Sequence, residues 1–490
     1  MLVEQVGSYK KYAKDTILAA IANLALTLRW LILLTILSKA LGTEGYGIWF
    51  QIQVTIPLLV LFSTMSLGPA MTRFLAGETN KSKISTGFFS YLILTLLTSI
   101  LFSALMFVFA EPFANAVFGG AGAVPFVKLA AFLVLLTAID GVVTDYFVTL
   151  RQIGKYSIFL FGQAIGEIAL VAYLVFSGFG LYGAIAALLI TRALLFITGF
   201  SVVKPQIRFS APSFSVIKPY LSFSLPLVFI SLCWWIYNLS DRYIIGIFLG
   251  AEAIGIYSAA YVLATVGELF YSPLTVVLFP AITYFYENDK IQEVKTHLKY
   301  SLKFYLMLAI PVAFGASILA KSLLATLTSF EFIAGSSIIP VVAIATLLFH
   351  SSSIIMRVPM LFKRTKVIGL IDGACAAISV GMNVILVPLI GILGAAISAL
   401  VVFMLRLIAI SIISFKQLSF DVNPKFIAKA VISSLVMGAA IWWLNPIGTV
   451  NILLSIIAGS IIYFLVLVLL RGFTRQEYSF LRAILRGVKG

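Results

Sequence analysis

Twelve charged side chains fall within apolar stretches of this sequence. Six are basic, Arg29, Lys128, Arg192, Arg242, Arg357 and Arg406, and six acidic, Asp140, Asp145, Glu167, Asp241, Glu268 and Asp372. A charge at the centre of a bilayer costs roughly 2.5–3.5 kcal/mol on insertion scales, so each must face protein or water rather than lipid. Lys128 lies near a stretch end and can snorkel. Arg357 with Asp372, Glu167 with Arg192, and Asp145 with Arg151 read as pairs that neutralise one another. Arg29, in "NLALTLRWLILL", has no acid nearby on its own helix. Arg242 follows Asp241 directly, and consecutive helical residues point about 100° apart, so the two are not expected simply to face each other. Arg29 and Arg242 are therefore the candidates to look into a cleft, where a guanidinium suits phosphate because its planar fork donates two parallel hydrogen bonds and stays charged. Glu268, in "LATVGELFY", is a candidate protonatable coupling group or a helix-packing partner. Asp145 and Asp241 are further acids a cation could use.

Aromatic residues surround these charges. "CWWIYN", Cys233 to Asn238, precedes Asp241, and Trp30 follows Arg29. Trp30, Trp234, Trp235, Tyr237, Tyr257 and Tyr261 can stack on sugar rings, with Asn238 bonding hydroxyls, or can simply pack.

The elements that position these residues follow from composition. Of 490 residues 61% are hydrophobic and 11% charged, with mean hydropathy +1.11, where soluble domains carry roughly 25% charged residues. This composition specifies a polytopic membrane protein. A span needs about 20 apolar residues, and the chain offers fourteen such stretches, at 17–38, 46–68, 86–110, 124–149, 157–177, 181–203, 220–248, 254–284, 301–320, 337–361, 367–387, 391–414, 426–444 and 451–470. The first is too long for a cleaved signal and reads as an uncleaved span. Lys and Arg concentrate in every second connection and at both termini, 25 of them against Lys39 and Lys321 in the alternate loops. By the positive-inside rule both termini are then cytoplasmic. Basic loops facing an anionic leaflet also account for the net charge of +16 without any nucleic acid. No P-loop, no HExxH and only two histidines are present, which argues against an ATP-driven pump or metal hydrolase, and no metal or other cofactor is expected. Cys233 and Cys375 offer no disulfide framework.

Two echoes indicate duplication. "LGTEGYGIW" from Leu41 matches "LGAEAIGIY" from Leu249, 208 residues on, and "GLYGAIAA" from Gly180 matches "GILGAAISA" from Gly391, 211 residues on. They predict an all-α membrane protein of two six-helix bundles related by a pseudo-twofold axis along the membrane normal, with two trailing helices. The corresponding divisions are 1–210, 211–420 and 421–490. Such bundles leave a cleft between them, where transporter sites usually lie.

"DRYIIGIFLGAEAIGIYSAAY" and "NVILVPLIGILGAAIS" resemble signatures of the polysaccharide transporters, the O-antigen type flippases of the multidrug/oligosaccharidyl-lipid/polysaccharide (MOP) exporter superfamily. The resemblance covers essentially the whole chain. It implies a central cavity between the bundles and translocation of a polyprenyl-diphosphate-linked oligosaccharide to the outer leaflet of the plasma membrane for surface polysaccharide assembly. It also implies Arg29, Arg192, Arg242 and Arg406 as cavity cations, and no catalytic residue. With no nucleotide site, coupling to H+ or Na+ is expected, and partners would be membrane lipids and the polymerase or glycosyltransferase proteins of the pathway. Two alternatives remain. An organic-cation antiporter of the same superfamily would lean on Asp145, Asp241 and Glu268, and a lipid II flippase is closer kin. A membrane glycosyltransferase would want a carboxylate-rich loop that the sequence lacks.

Overall fold

The computed structural model describes the backbone of residues 2–473 and, Val276 apart, the side chains of residues 18–473. The basic residues Lys10, Lys11, Lys14, Arg475, Arg482, Arg486 and Lys489 lie outside the described side chains. Among the described residues the protein is helical, without a strand.

Eleven helical stretches are long and apolar enough to cross a membrane, and three of them turn back at glycines with positive φ: Leu18–Thr64 at Gly42, Ile153–Gln206 at Gly178 and Gly180, and Phe214–Glu287 at Gly250. The result is fourteen passes: α1 (2–41), α2 (43–64), α3 (Lys81–Val108), α4 (Val124–Thr149), α5 (Ile153–Leu174), α6 (Gly180–Val203), α7 (214–249), α8 (251–287), α9 (Ile291–Ile318), α10 (Ile338–Ile355), α11 (Thr365–Ile390), α12 (Ile392–Gln417), α13 (Pro424–Leu444) and α14 (Thr449–Leu469). Large apolar side chains lie on the surface of these passes, such as Ile158 (71% exposed) and Leu370 (74%), as expected where the neighbour is hydrocarbon and not water.

The internal repeat governs the packing. In the first bundle α3 packs on α4, α4 on α6, α5 on α6 and α1 on α5; in the second α9 packs on α10, α10 on α12, α11 on α12 and α7 on α11. Short helices Ala110–Val117 and Ala320–Leu327 follow α3 and α9 respectively, a correspondence the sequence echoes do not reveal. Helices α13 and α14 pack on each other and dock against α9 of the second bundle.

The nine-residue echo has two separate causes. Its first glycine, Gly42 or Gly250, takes φ of 67° or 82° and breaks one helix into two, a conformation that needs no side chain. Its last glycine, Gly47 or Gly255, is where the two bundles cross. A Cβ on Gly47 would lie 1.9 Å from the Ala251 carbonyl oxygen, and one on Gly255 would lie 2.0 Å from that of Thr43. Ala251 and Gly255 each stand 208 residues after Thr43 and Gly47, so this is a self-complementary contact of the isologous kind, made within one chain. It closes the end of the molecule where α1 and α7 finish. The opposite end carries the lysine- and arginine-rich connections. There Lys299 Nζ donates to Asp421 at 2.7 Å, and with the Asn423 backbone N–H it holds that carboxyl below the usual carboxylate range.

The crossing makes a testable demand. Gly47→Val and Gly255→Val are expected each to cost on the order of 1–3 kcal/mol, the usual penalty of overpacking, read as a lower melting temperature of the purified protein in detergent. Gly141→Ala in α4, where a Cβ meets nothing within 4 Å, is expected to be neutral or slightly stabilising.

Candidate functional site

Three polar clusters absorb most of the intramembrane charges. The first lies inside the first bundle, built by α1, α4, α5 and α6. Arg29 Nη1 donates to Glu167 Oε2, Gln163 Nε2 donates to Glu167 Oε1 at 3.0 Å, Arg192 Nη2 lies 3.7 Å from that oxygen, and Arg192 Nη1 donates to Asp140 at 3.0 Å. Two cations and two anions cancel. The Glu167–Arg192 pair is the one read from the sequence, but Arg29 is not free: its acid comes from a helix 138 residues away, and it does not border the inter-bundle cavity.

The second cluster lies at the equivalent place in the second bundle. Arg406 Nε donates to Asp372 at 2.9 Å, the Tyr237 hydroxyl donates to the same carboxylate oxygen at 3.4 Å, and Arg406 Nη1 donates to Ser352 and Ser353. His350 stands on the same helix as these serines. Arg29 and Tyr237 stand 208 residues apart, the offset of the nine-residue echo, and Arg192 and Arg406 lie on the corresponding helices α6 and α12 but 214 residues apart against the 211 of the glycine echo there. Where the first bundle has an extra Arg and an Asp beside its arginine, the second has a tyrosine and two serine hydroxyls, and both clusters stay balanced.

Asp372 is therefore paired with Arg406, not with Arg357 as neighbouring spans suggest. The Arg357 guanidinium instead lies over the Phe279 ring at 5.7 Å, with Nη1 3.8 Å from Met360 Sδ. Likewise Asp145 accepts from the Tyr91 hydroxyl at 2.9 Å, while Arg151 sits exposed on a turn at φ 54°. Adjacency in sequence misled in both cases because the partner was chosen by bundle packing.

The third cluster answers what Asp241 and Arg242 do. Contrary to the helical-wheel expectation they bond each other: Arg242 Nη1 donates to Asp241 Oδ1 at 2.6 Å and the Arg242 backbone N–H donates to the same oxygen at 2.9 Å. This is possible because the Arg242 backbone N–H bonds the Asp241 carboxylate, which draws that carboxylate toward residue 242, and because the arginine side chain is long enough to fold back. Tyr257 donates its hydroxyl to Asp241 Oδ2 at 2.6 Å, Arg242 Nη1 also donates to the Asn238 carbonyl at 2.7 Å, and the guanidinium lies 4.1 Å from the Tyr261 ring centroid.

Between the bundles lies a cavity of about 330 Å³ formed by α1, α2, α7, α8, α10 and α12. Trp30, Trp234, Asn238, Tyr261 and Glu268 line it as candidates read from the sequence, and Arg242 borders it although no part of the residue is exposed. Trp235, Tyr237 and Tyr257 are in the protein interior: the Trp235 indole donates to the Val54 carbonyl at 3.0 Å, and the two tyrosines serve Asp372 and Asp241. Arg192, Arg406, Asp145 and Asp241 do not line it. Glu268 is exposed to the cavity, and no hydrogen bond or ion pair engages it among the described residues. The sequence reading missed Gln53, Thr265 and His350 on the same wall. A second, apolar cleft of about 400 Å³ between α9, α13 and α14 shares Leu31 and Val266 with the cavity. Among the described residues no group of His, Cys, Asp and Glu is placed to hold a metal ion.

Fourteen passes, a duplicated bundle and a cavity on the pseudo-twofold define a multi-pass membrane protein with the fold of the MOP-superfamily transporters. The fold is similar to that of a lipid II flippase MurJ in an inward closed conformation (TM-score 0.71, 17% identity, 94% of this chain and 98% of the other). It is also similar to an inward-facing multidrug resistance MATE family transporter of the MOP superfamily (TM-score 0.70, 14% identity, 81% and 98%). Residues 12–285 match the family model described as polysaccharide biosynthesis protein, and the chain belongs to that family. Two Haloferax volcanii proteins are similar in sequence: the probable low-salt glycan biosynthesis flippase Agl15, 24% identical over 57% of this chain and 58% of the relative, and the probable flippase AglR, 24% identical over 49% and 52%. The chain thus spans somewhat over half the length of each curated relative it matches.

The clusters predict unequal stability effects. Glu167→Ala and Asp372→Ala, each stranding a buried guanidinium, are expected to cost about 3–5 kcal/mol. Arg357→Ala, which leaves no buried charge unpaired, is expected to cost less than about 1 kcal/mol. Thermal unfolding in detergent checks the ranking.

Proposed function

We propose that this protein is a flippase that moves a polyprenyl-diphosphate-linked oligosaccharide from the cytoplasmic to the outer leaflet of the plasma membrane for surface glycan assembly. The observation that carries the reading is the amphipathic space between the bundles. One cavity combines the Arg242 guanidinium, the rings of Trp30, Trp234 and Tyr261 and the amides of Gln53 and Asn238, and an apolar cleft opens from its side. A sugar chain and a prenyl tail each find a matching surface, and a diphosphate finds a guanidinium that lies just behind the wall. Membership of a polysaccharide biosynthesis family and the names of the two archaeal relatives support the same reading. The moving bodies are residues 1–210 and 211–420, with 421–490 appended. Each is held rigid by its own balanced charge cluster, and they rock about the Gly47–Gly255 crossing so that the cavity faces each side in turn. The basic connections and both termini face the cytoplasm. An ion gradient drives the cycle. Arg29, Arg192 and Arg406 act as structural cations in this scheme, and Arg242 meets the phosphates once Tyr261 swings aside. No chemical step is required of the protein, and pathway glycosyltransferases and polymerase supply and consume its cargo.

An organic-cation antiporter is the second reading, and the unpaired Glu268 carboxylate in the cavity favours it. Lipid II, also a prenyl diphosphate, differs from the first reading in the headgroup it carries.

Leaflet exchange in proteoliposomes tests the reading, with a fluorescent polyprenyl diphosphate oligosaccharide and a cationic dye tried in parallel under an imposed proton or sodium gradient. Lipid movement without dye movement is expected; dye export alone would replace the first reading with the second. Trp30→Ala and Trp234→Ala are each expected to slow lipid exchange roughly five- to tenfold, the loss of about 1–1.5 kcal/mol of ring contact, with the melting temperature little changed. Trp235→Ala, which vacates a buried site, is expected to lower the melting temperature first.

A further inference from the structure

The charge of the cavity does not match the ligand proposed for it. Arg242 spends its charge on Asp241, and the guanidiniums of both bundle clusters are turned away and paired. The one acid on the wall, Glu268, has no partner. An anionic headgroup entering this space meets a carboxylate of its own sign, and a like charge nearby favours the protonated form of a carboxyl.

We infer that Glu268 takes up one proton from water as the diphosphate binds, so that headgroup and proton enter the cavity together. The inference rests on the diphosphate reading above. The balance is simple: carboxylate plus a solvent proton gives carboxylic acid, which then donates a hydrogen bond to a phosphate oxygen; when the headgroup leaves, the proton returns to solvent on that side. The surroundings permit this. The groups that face Glu268 are Arg242 from α7, Tyr305 from α9, His350 from α10, and Tyr261 and Tyr271 on its own helix α8. Further down the same helix Arg357 lies over Phe279 and His297 against Phe285. None of these makes a hydrogen bond or ion pair to the carboxylate, so a group that enters the cavity is free to engage it. His350 is the other titratable side chain to be separated by experiment: it is buried against Tyr271 at 4.4 Å, its Nδ1 has no hydrogen-bond partner, and its side chain reaches the same wall.

Linkage fixes the sign. If binding takes up a proton, affinity rises as pH falls, and by reciprocity the bound anion makes protonation easier. A cationic ligand at the same site would release a proton instead. The site therefore reports the sign of its cargo.

Isothermal titration of the full-length protein in detergent with farnesyl diphosphate, at pH 7.5 in buffers of different ionisation enthalpy, counts the protons directly. An ethidium titration runs in parallel. The expected result is uptake approaching one proton per ligand in the wild type, kept by Glu268→Asp and lost by Glu268→Gln, which still binds but with a flatter pH dependence. The titration of the diphosphate itself is common to all three proteins, so their difference reads Glu268 alone. Glu268→Gln removes no contact, and an unchanged melting temperature verifies its fold. Binding without proton exchange, or exchange unchanged in Glu268→Gln, would overturn the inference while leaving the diphosphate reading intact; exchange lost only in His350→Gln would move the proton to the imidazole and overturn the assignment to Glu268. No binding of farnesyl diphosphate, with ethidium binding that releases a proton, would overturn the diphosphate reading and the inference with it.

Discussion

Charge neutrality inside each bundle is the constraint on which the rest of this structure depends. Hydrocarbon cannot solvate an ion, so an intramembrane charge that reaches neither a cavity nor the membrane surface needs a partner from the helices around it. Arg29, Glu167, Arg192 and Asp140 draw four helices of the first bundle together, and Arg406, Asp372 and Tyr237 do the same in the second. Such clusters contribute less through net attraction than through the penalty on any arrangement that separates them. The bundles therefore behave as bodies, and the freedom of the molecule is confined to the space between them.

That space is governed by an equally simple geometric limit. At Gly47 and Gly255 the backbones of the two bundles touch with no room for a methyl group, while at mid-depth aromatic and amide side chains hold them apart around the cavity. Close contact at one end and separation at the centre is what a pair of rocking bodies requires. Glu268 and His350 belong to neither cluster; they stand on the wall where the bundles face each other.

The membrane spans and the duplication were legible in the sequence, because both depend on local quantities, namely a run of apolar residues and a repeated order of glycines. Fourteen passes fold close to the boundaries read from hydropathy, and the glycine echo marks the inter-bundle contact. The partners of the charges were not legible. Arg29 finds Glu167 and Asp372 finds Arg406 across helices that packing brings together, whereas sequence proximity favoured Arg357 and Arg151. The Asp241–Arg242 bond escaped an ideal-helix argument because that argument follows the direction of the Cα–Cβ bonds and not the reach of a long side chain that folds back. Of the cavity aromatics, Trp30, Trp234 and Tyr261 were found, but the same reasoning included Trp235, Tyr237 and Tyr257, since composition does not say which face of a helix looks inward.

The matched clusters also bear on how the two halves diverged. Relative to the first bundle, the second has Tyr237 in the place of Arg29, and the hydroxyls of Ser352 and Ser353 where the first has the Asp140 carboxylate. Either replacement alone would have left one ion without its counter-ion in a water-free interior, and only both together restore balance. After the duplication the two positions were not independent: the path from one half to the other crosses a valley of instability unless the changes come as a couple. Any attempt to exchange residues between the halves of this protein meets the same barrier, and succeeds two at a time or not at all.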